Sequence, residues 1–159
     1  SRIVYQDPVS FHLLDAAIES SMQIQLSNKK NIDYNQINFT VGIDSATNVS
    51  GAMAGDLDPT KGMYWTWQSG YINFKLEGES TFCNTRHHQF EFHIGGYTSP
   101  YSPLQTILLA TTPSEKNTVI NIDLSRLLNS IDLKTQRNIM SPGVEAYQFS
   151  TLLKEIFSN

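Results

Sequence analysis

Several features that mark common functional classes are missing from this sequence. One cysteine, Cys83, occurs among the 159 residues, so no disulfide can form within the chain and cysteine usage does not indicate a compartment. Lys and Arg total 11 against 15 Asp and Glu, and this scattered minority of basic residues argues against nucleic-acid binding. No apolar run approaches the length of a membrane span. Neither a Gly-x-Ser-x-Gly elbow nor a phosphate-binding glycine loop is present, so no enzyme class is indicated.

Charged residues are also sparse, at 16% of the chain, whereas Asn, Ser, Thr and Gln are frequent. This composition is typical of extracytoplasmic β proteins. A hydrophobic content of 40% is ordinary for a folded domain and excludes a disordered chain. The length suits one domain with its own core, so we expect residues 1–159 to form a single domain.

Short segments of alternating polarity predict a mainly β fold. In the segment that follows Tyr71, the apolar side chains of Ile72, Phe74 and Leu76 share one face. The predicted strands are residues 22–26, 37–43, 62–78, 89–94, 106–111 and 118–124. The strands at 62–78 and 89–94 are expected to form a hairpin, and the aperiodic stretch 44–61 a long surface loop.

The C-terminal region has helical rather than strand periodicity. Ser141 can cap a helix and Pro142 suits its first position, which predicts an amphipathic helix from Val144 to Phe157. One helical turn is also expected at 125–129. Many short strands with one terminal helix indicate an antiparallel β-sandwich with a C-terminal α-helix.

Both tryptophans of the protein lie in the stretch 62–78. Residue chemistry alone favours a strand whose tryptophans fill a core. The alternative is a surface module that binds a ligand such as a glycan, in which exposed aromatic rings stack on sugar faces. The rings that could do so belong to Tyr64, Trp65, Trp67 and Tyr97. A structural domain of a surface assembly is a further alternative.

His93 is the most informative of the histidines. Alternation places it on the opposite face from Phe90 and Phe92, so it need not belong to the core. A histidine held on a strand is a good metal ligand. The residues alone nevertheless favour a surface or sheet-face histidine that is bonded to a neighbour.

Other candidate metal groups are weaker. His87 and His88 follow Cys83 closely, but structural zinc requires four protein ligands and no second such pair exists. The acidic stretch 55–59 lacks the spacing of a twelve-residue calcium loop, which favours a turn in which the Asp side chains bond their own backbone. His12 is uninformative by itself.

Three segments together resemble the MbnP family of bacterial copper-binding proteins. They are Gly-Met-Tyr-Trp-Thr-Trp-Gln-Ser-Gly-Tyr at 62–71, Lys-Leu-Glu-Gly at 75–78 and Phe-His-Ile-Gly-Gly at 92–96. Residues 41–44, 55–59 and 140–143 are similar to further blocks of that family. Family members begin with additional strands upstream of the His12 region, so the resemblance implies a domain that lacks its N-terminal strands.

The resemblance also implies a function. It implies a periplasmic or cell-surface bacterial protein that binds copper and is not itself an enzyme. In this family a di-haem partner of the MbnH type oxidises a tryptophan to kynurenine, which joins histidines in binding the metal. By position, Trp65 is the first choice for the modified residue and Trp67 the second. His93 is the first choice of ligand, with His12 second.

Overall fold

The computed structural model of the protein describes residues 2–26, 32–68, 70–111 and 117–159. The strands in these residues are β1 (Gln36–Val41), β2 (Tyr64–Trp65), β3 (Gly70–Glu79), β4 (Gln89–Gly95), β5 (Gln105–Ala110), β6 (Asn121–Ile122), β7 (Asn138–Ile139) and β8 (Phe157–Ser158). The α-helices are α1 (Ser45–Val49), α2 (Leu124–Asn129) and α3 (Val144–Leu152). Short 3₁₀ helices occupy Glu19–Met22, Gly55–Leu57, Pro59–Lys61 and Leu153–Glu155.

The described strands are arranged in separate small sheets. The largest has the order β2-β3-β4-β7, while β1 pairs with β5 and β6 pairs with β8. All of these pairings are antiparallel except that of β4 with β7, which is parallel. The predicted mainly β sandwich with a C-terminal helix is therefore confirmed, with one parallel pairing added.

The core lies between the apolar face of β4 and α3. Phe92 of β4 is fully buried, and its ring centroid lies 4.7 Å from that of Phe149 in α3. On another side of α3, Gln105 of β5 donates a buried hydrogen bond of 2.8 Å to Ser150 Oγ. Because α3 contacts strands of two different sheets, it joins them into one body.

The tryptophan stretch is a hairpin rather than one strand. β2 ends at Trp65, residues 66–68 form a turn, and β3 returns antiparallel with Tyr64 opposite Tyr71. The prediction of a continuous strand over 62–78 is therefore wrong. Alternation could not be extended backwards from Tyr71 because the chain reverses direction there.

Other predicted boundaries are also corrected. Residues 22–26 form no strand: the 3₁₀ helix ends at Met22, and the apolar side chains at 22, 24 and 26 stay exposed because no sheet covers them. The predicted strand 118–124 is reduced to β6, and α2 occupies the expected helical turn. The expected loop 44–61 contains α1 and two 3₁₀ helices.

The C-terminal helix is shorter than its periodicity predicted. α3 begins after Gly143 as the N-cap, not after Ser141, and it ends at Leu152. The chain then forms β8, in which Phe157 pairs with Ile122 of β6 and packs edge-on against Phe39 at 5.3 Å. Phe157 is thus a strand residue because its burial against β1 and β6 outweighs helix continuation.

Asn48 fixes α1 to β3. Its Nδ2 donates to the carbonyls of Ile43 at 2.9 Å and Asp44 at 3.1 Å, and its Oδ1 accepts from the buried N–H of Tyr71 at 2.9 Å. The side chain therefore satisfies backbone groups that would otherwise be buried without partners, which is costly in a protein interior.

Asn48→Ala should lower the free energy of unfolding by about 1–3 kcal/mol, since it leaves the N–H of Tyr71 without its acceptor. Asn38→Ala, in the exposed face of β1, is the matched control and should change stability by less than about 0.5 kcal/mol. Urea denaturation followed by circular dichroism measures both. Equal midpoints for the two variants would contradict the anchoring role.

The Asp44 carboxylate caps α1 by accepting from Thr47 N at 2.9 Å and from Thr47 Oγ1 at 2.8 Å. These bonds hold the pKa of Asp44 below its ordinary value of 3.8. A lowered pKa contributes stability that is present above pH 3.8 and is lost as the pH falls through the folded-state pKa.

Asp44→Asn should therefore be less stable than the wild type at neutral pH, by less than about 1 kcal/mol because the carboxylate is exposed and screened. The free energies of unfolding of the two proteins should converge as the pH falls below 3.8. Thermal unfolding between pH 2.5 and 7 measures the difference. A difference in stability between the two proteins that stays constant across this range would show that the charge of Asp44 does not contribute to stability.

Candidate functional site

Trp65 is held against the end of β4 by a glycine. The residue is 6% exposed. A Cβ atom on Gly95 would lie 2.8 Å from Cζ3 of the indole and 2.5 Å from the carbonyl oxygen of Tyr71. Both contacts are too short for any side chain, so the absence of one at Gly95 is what allows the six-membered ring of Trp65 to lie there.

His93 lies on the same face of β4 as this contact. It precedes Gly95 by two residues, and alternate residues of a strand point to one side with a spacing of about 6.7 Å. The pairings agree, because Trp65 is opposite Gly70 and Ile72 is opposite Gly95. The ring of the first-choice tryptophan thus packs on the strand that carries the first-choice histidine, two residues beyond it.

A carboxylate orients the His93 ring. Its Nε2 lies 2.6 Å from Oε1 of Glu77, which also accepts from Lys75 Nζ at 3.2 Å. The hydrogen bond from His93 and, secondarily, the interactions with Lys75 hold the pKa of Glu77 below its ordinary value, although partial burial opposes this. Glu77 is thus ionised at neutral pH and accepts the Nε2 proton.

The His93 side chain is 11% exposed and bonds to Glu77 through one of its two ring nitrogens. Among the described residues, Glu77 is the only side chain that hydrogen-bonds the His93 ring. With the proton on Nε2, the lone pair of the neutral imidazole is on Nδ1. Metal-binding histidines in proteins commonly have this form, in which one nitrogen donates to a carboxylate and the other binds the ion.

Trp67 differs from Trp65 in exposure. It lies in the turn after β2 and is 65% exposed, while its ring centroid is 5.8 Å from that of Trp65. The two indoles therefore form a pair in which Trp65 is buried and Trp67 is exposed to solvent. Of the four rings in the glycan-binding alternative, Trp67 alone is exposed, since Tyr64 and Tyr97 are half-buried.

His12 lies in a separate cleft. Its Nε2 is 3.1 Å from Oδ2 of Asp7, and the cleft is also lined by Asp56, Met63 and Asn73. Neither His93 nor either tryptophan is among the residues that line this cleft. The second-choice ligand of the sequence analysis thus lines a cleft to which the first-choice ligand does not contribute.

The remaining sequence candidates have structural partners. Asp56 is bonded to Lys61 Nζ at 2.6 Å and to Leu13 N at 3.0 Å, and Asp58 caps the 3₁₀ helix that follows it. Cys83 is fully buried in the core, and its carbonyl is bonded to His88 Nδ1 at 2.9 Å. In the part of the chain that the structure describes, no three His, Cys, Asp or Glu side chains gather into a metal-binding group.

Comparison with known proteins identifies the family. The MbnP family model matches residues 2–141. The chain belongs to the MbnP family. No curated protein and no solved structure shows a significant match to it. No helix among the described residues has both the length and the apolar character needed to cross a membrane.

Sequence reasoning missed Glu77 and Gly95 as parts of this candidate site. Glu77 meets His93 diagonally across the β3–β4 pair, where His93 is directly opposite Lys75. This register is set by the length of the β3–β4 connection, and the bulge between Ile72 and Phe74 shifts only the pairing beyond it, where Ile72 is opposite Gly95. The signal that could have found Glu77 was its parity, since it shares the polar face of its strand.

Gly95→Ala should displace Trp65 and lower the free energy of unfolding by about 1–3 kcal/mol, since the new Cβ overlaps both ring and backbone atoms. In a Trp67→Phe background, tryptophan emission should shift to longer wavelength as Trp65 becomes hydrated. Gly70→Ala is the control, because a Cβ there meets its nearest atoms at 3.7 Å and 3.8 Å. Unchanged emission in Gly95→Ala would contradict the close contact.

Proposed function

We propose that this MbnP-family protein is an extracytoplasmic copper-binding protein, rather than an enzyme, in which His93 and a kynurenine formed from Trp65 hold the ion. Family membership supports the copper association. The observation that carries the residue assignment is the position of the Trp65 ring on Gly95, two residues along β4 from His93.

The donor chemistry fits copper. Imidazole is a suitable ligand for copper, and the Glu77 carboxylate fixes the His93 ring with Nδ1 available. An indole nitrogen carries a proton and is a donor only. Addition of two oxygen atoms from O2 or peroxide breaks the C2–C3 bond of the pyrrole ring, and hydrolysis then releases C2 as formate. The products of this net loss of one carbon and gain of one oxygen are an aromatic amine and a ketone, both of which have lone pairs.

The protein that catalyses this oxidation is proposed to be a di-haem protein of the MbnH type, as the family resemblance implies. Trp65 is buried, so a protein partner cannot touch its ring directly without rearrangement, whereas Trp67 is displayed beside it. An aromatic ring at 5.8 Å from the target is well placed to pass an electron outward. Trp67 stays the second choice for the modified residue.

The proposal is tested on protein produced with its natural di-haem partner, so that the modification can occur. Peptide mapping by mass spectrometry should place the kynurenine at residue 65. Calorimetric titration should then show copper binding in the wild type and its loss in His93→Ala. His87→Ala, a histidine exposed on the β3–β4 connection, is the control and should bind as the wild type does.

Two results would overturn the proposal. One is kynurenine-containing protein that shows no heat with either copper oxidation state. The other is a His93→Ala variant that binds copper with wild-type affinity, which would assign the ion to a different part of the molecule, such as the cleft at His12.

A further inference from the structure

Strand β1 is hydrogen-bonded along one edge only. It belongs to a two-stranded sheet with β5, and no other described strand pairs with it. Thr111 N donates to the carbonyl of Asn35 at 3.0 Å, and antiparallel strands alternate between pairs that exchange hydrogen bonds and pairs that do not. Gln36, Asn38 and Thr40 are therefore the residues whose backbone groups point away from β5.

This outer edge of β1 has no hydrogen-bonding partner within the described part of the chain. No backbone hydrogen bond joins the outward N–H and C=O groups to other described residues. Residues 10–13 face Thr40 across a cleft and form no backbone hydrogen bond with it. The edge therefore presents a row of donors and acceptors on which a further strand can pair.

The side chains around this edge do not protect it from pairing. Natural edge strands commonly carry a lysine, a proline or a bulge, or are very short. Residues 34–43 contain no charged residue and no proline, and β1 pairs with β5 over 6 residues without a register shift. Strand β5 is uncharged as well, so the whole two-stranded sheet lacks charge.

We propose that the protein forms a two-fold symmetric dimer in which β1 pairs antiparallel with β1 of a second copy. Such a contact requires one surface only, because the same patch serves both subunits. Each side chain near the axis lies close to its own copy, so a charged edge would repel itself, and this edge carries no charge. Pairing also extends the sheet from two strands to four, and two-stranded sheets have little stability of their own.

The hydrogen-bonding pattern also determines the register of this pairing. Outward-pointing residues must lie opposite one another to exchange hydrogen bonds. A two-fold axis at Asn38 achieves this for three pairs within β1, whereas an axis at Phe39 allows only two. The three pairs are Asn38 with its copy and Gln36 with Thr40, which occurs twice. The axis at Asn38 also sets Ile37 opposite Phe39 of the second copy, and cross-strand pairs of this kind are favourable.

Sedimentation velocity over a range of concentrations tests the assembly. The wild type, with a chain mass of 17.9 kDa, should sediment as a dimer. Asn38→Lys should weaken dimerisation by roughly tenfold or more, because it sets two like charges opposite each other at the axis. Thr106→Lys is the matched control. It adds the same charge at an exposed position of β5, away from the axis, and should dimerise as the wild type does.

Cysteine cross-linking tests the register. Residues of a hydrogen-bonded antiparallel pair have Cα atoms about 5.5 Å apart, which suits a disulfide. Asn38→Cys should therefore form a covalent dimer with oxidised glutathione on non-reducing electrophoresis, whereas Thr106→Cys should not. The native thiol of Cys83 is fully buried and cannot substitute for either. A dimer in which Asn38→Cys stays without a cross-link would contradict the axis at Asn38.

Three results would overturn the dimer through β1. One is a wild-type protein that stays monomeric up to about 0.1 mM. Another is a dimer that Asn38→Lys leaves intact, which would assign the interface to another surface, such as the exposed apolar residues of the N-terminal segment. The third is slow amide exchange at residues 36, 38 and 40 in monomeric protein, which would show that the same chain already covers the edge. None of these measurements involves copper, so the dimer and the proposed function fail separately.

Discussion

The close approach of Trp65 to the backbone of Gly95 organises one whole side of this molecule. A Cβ at residue 95 would overlap both the indole and the carbonyl of Tyr71, so the contact exists only because the residue is glycine. The same contact brings β2 over the end of β4 and excludes water from the indole, leaving Trp65 6% exposed. The indole packs on Gly95, and His93 lies two residues earlier on the same strand. The contact therefore also fixes where the indole lies relative to His93.

β4 serves two purposes with its two faces. Phe92 and Ile94 are fully buried and fix the strand against α3. Their packing determines where the opposite face lies, and that face presents His93 to the carboxylate of Glu77. A side chain that is mounted in this way needs no loop to position it. The position of His93 therefore depends on the core residues that pack behind its strand.

Some of this arrangement could be predicted from local pattern. The alternation of Phe90, Phe92 and Ile94 against His93 is a property of one strand, so the sequence was sufficient to place His93 on the opposite face, although not to show that the residue is buried there at 9% exposure. The reversal after Trp65 was not predictable in the same way, because Trp65 and Trp67 continue an apolar alternation through the turn. Composition does not distinguish a buried indole from a displayed one.

Other features depend on partners that are distant in sequence. Residues 22–26 alternate as a strand would, yet no sheet covers them, so alternation without a pairing partner was misleading. The register that joins Glu77 to His93 follows from the length of the β3–β4 connection, and the bulge before Phe74 sets which residue lies opposite Gly95. The parallel pairing of Ile139 with Phe92 follows from β7, a two-residue strand far too short to give a sequence signal.

The atoms that Gly95 contacts bear directly on the proposed modification. Cζ3 and Cη2, the indole atoms nearest to residue 95, belong to the six-membered ring. Conversion to kynurenine opens the five-membered ring and leaves the six-membered ring intact. The part of Trp65 that is fixed by the glycine is therefore the part that does not change, while the new amine and ketone form on the other part of the side chain. Under the proposed function, the glycine contact can hold the residue in one place before and after oxidation, so the fold need not rearrange to accept the metal.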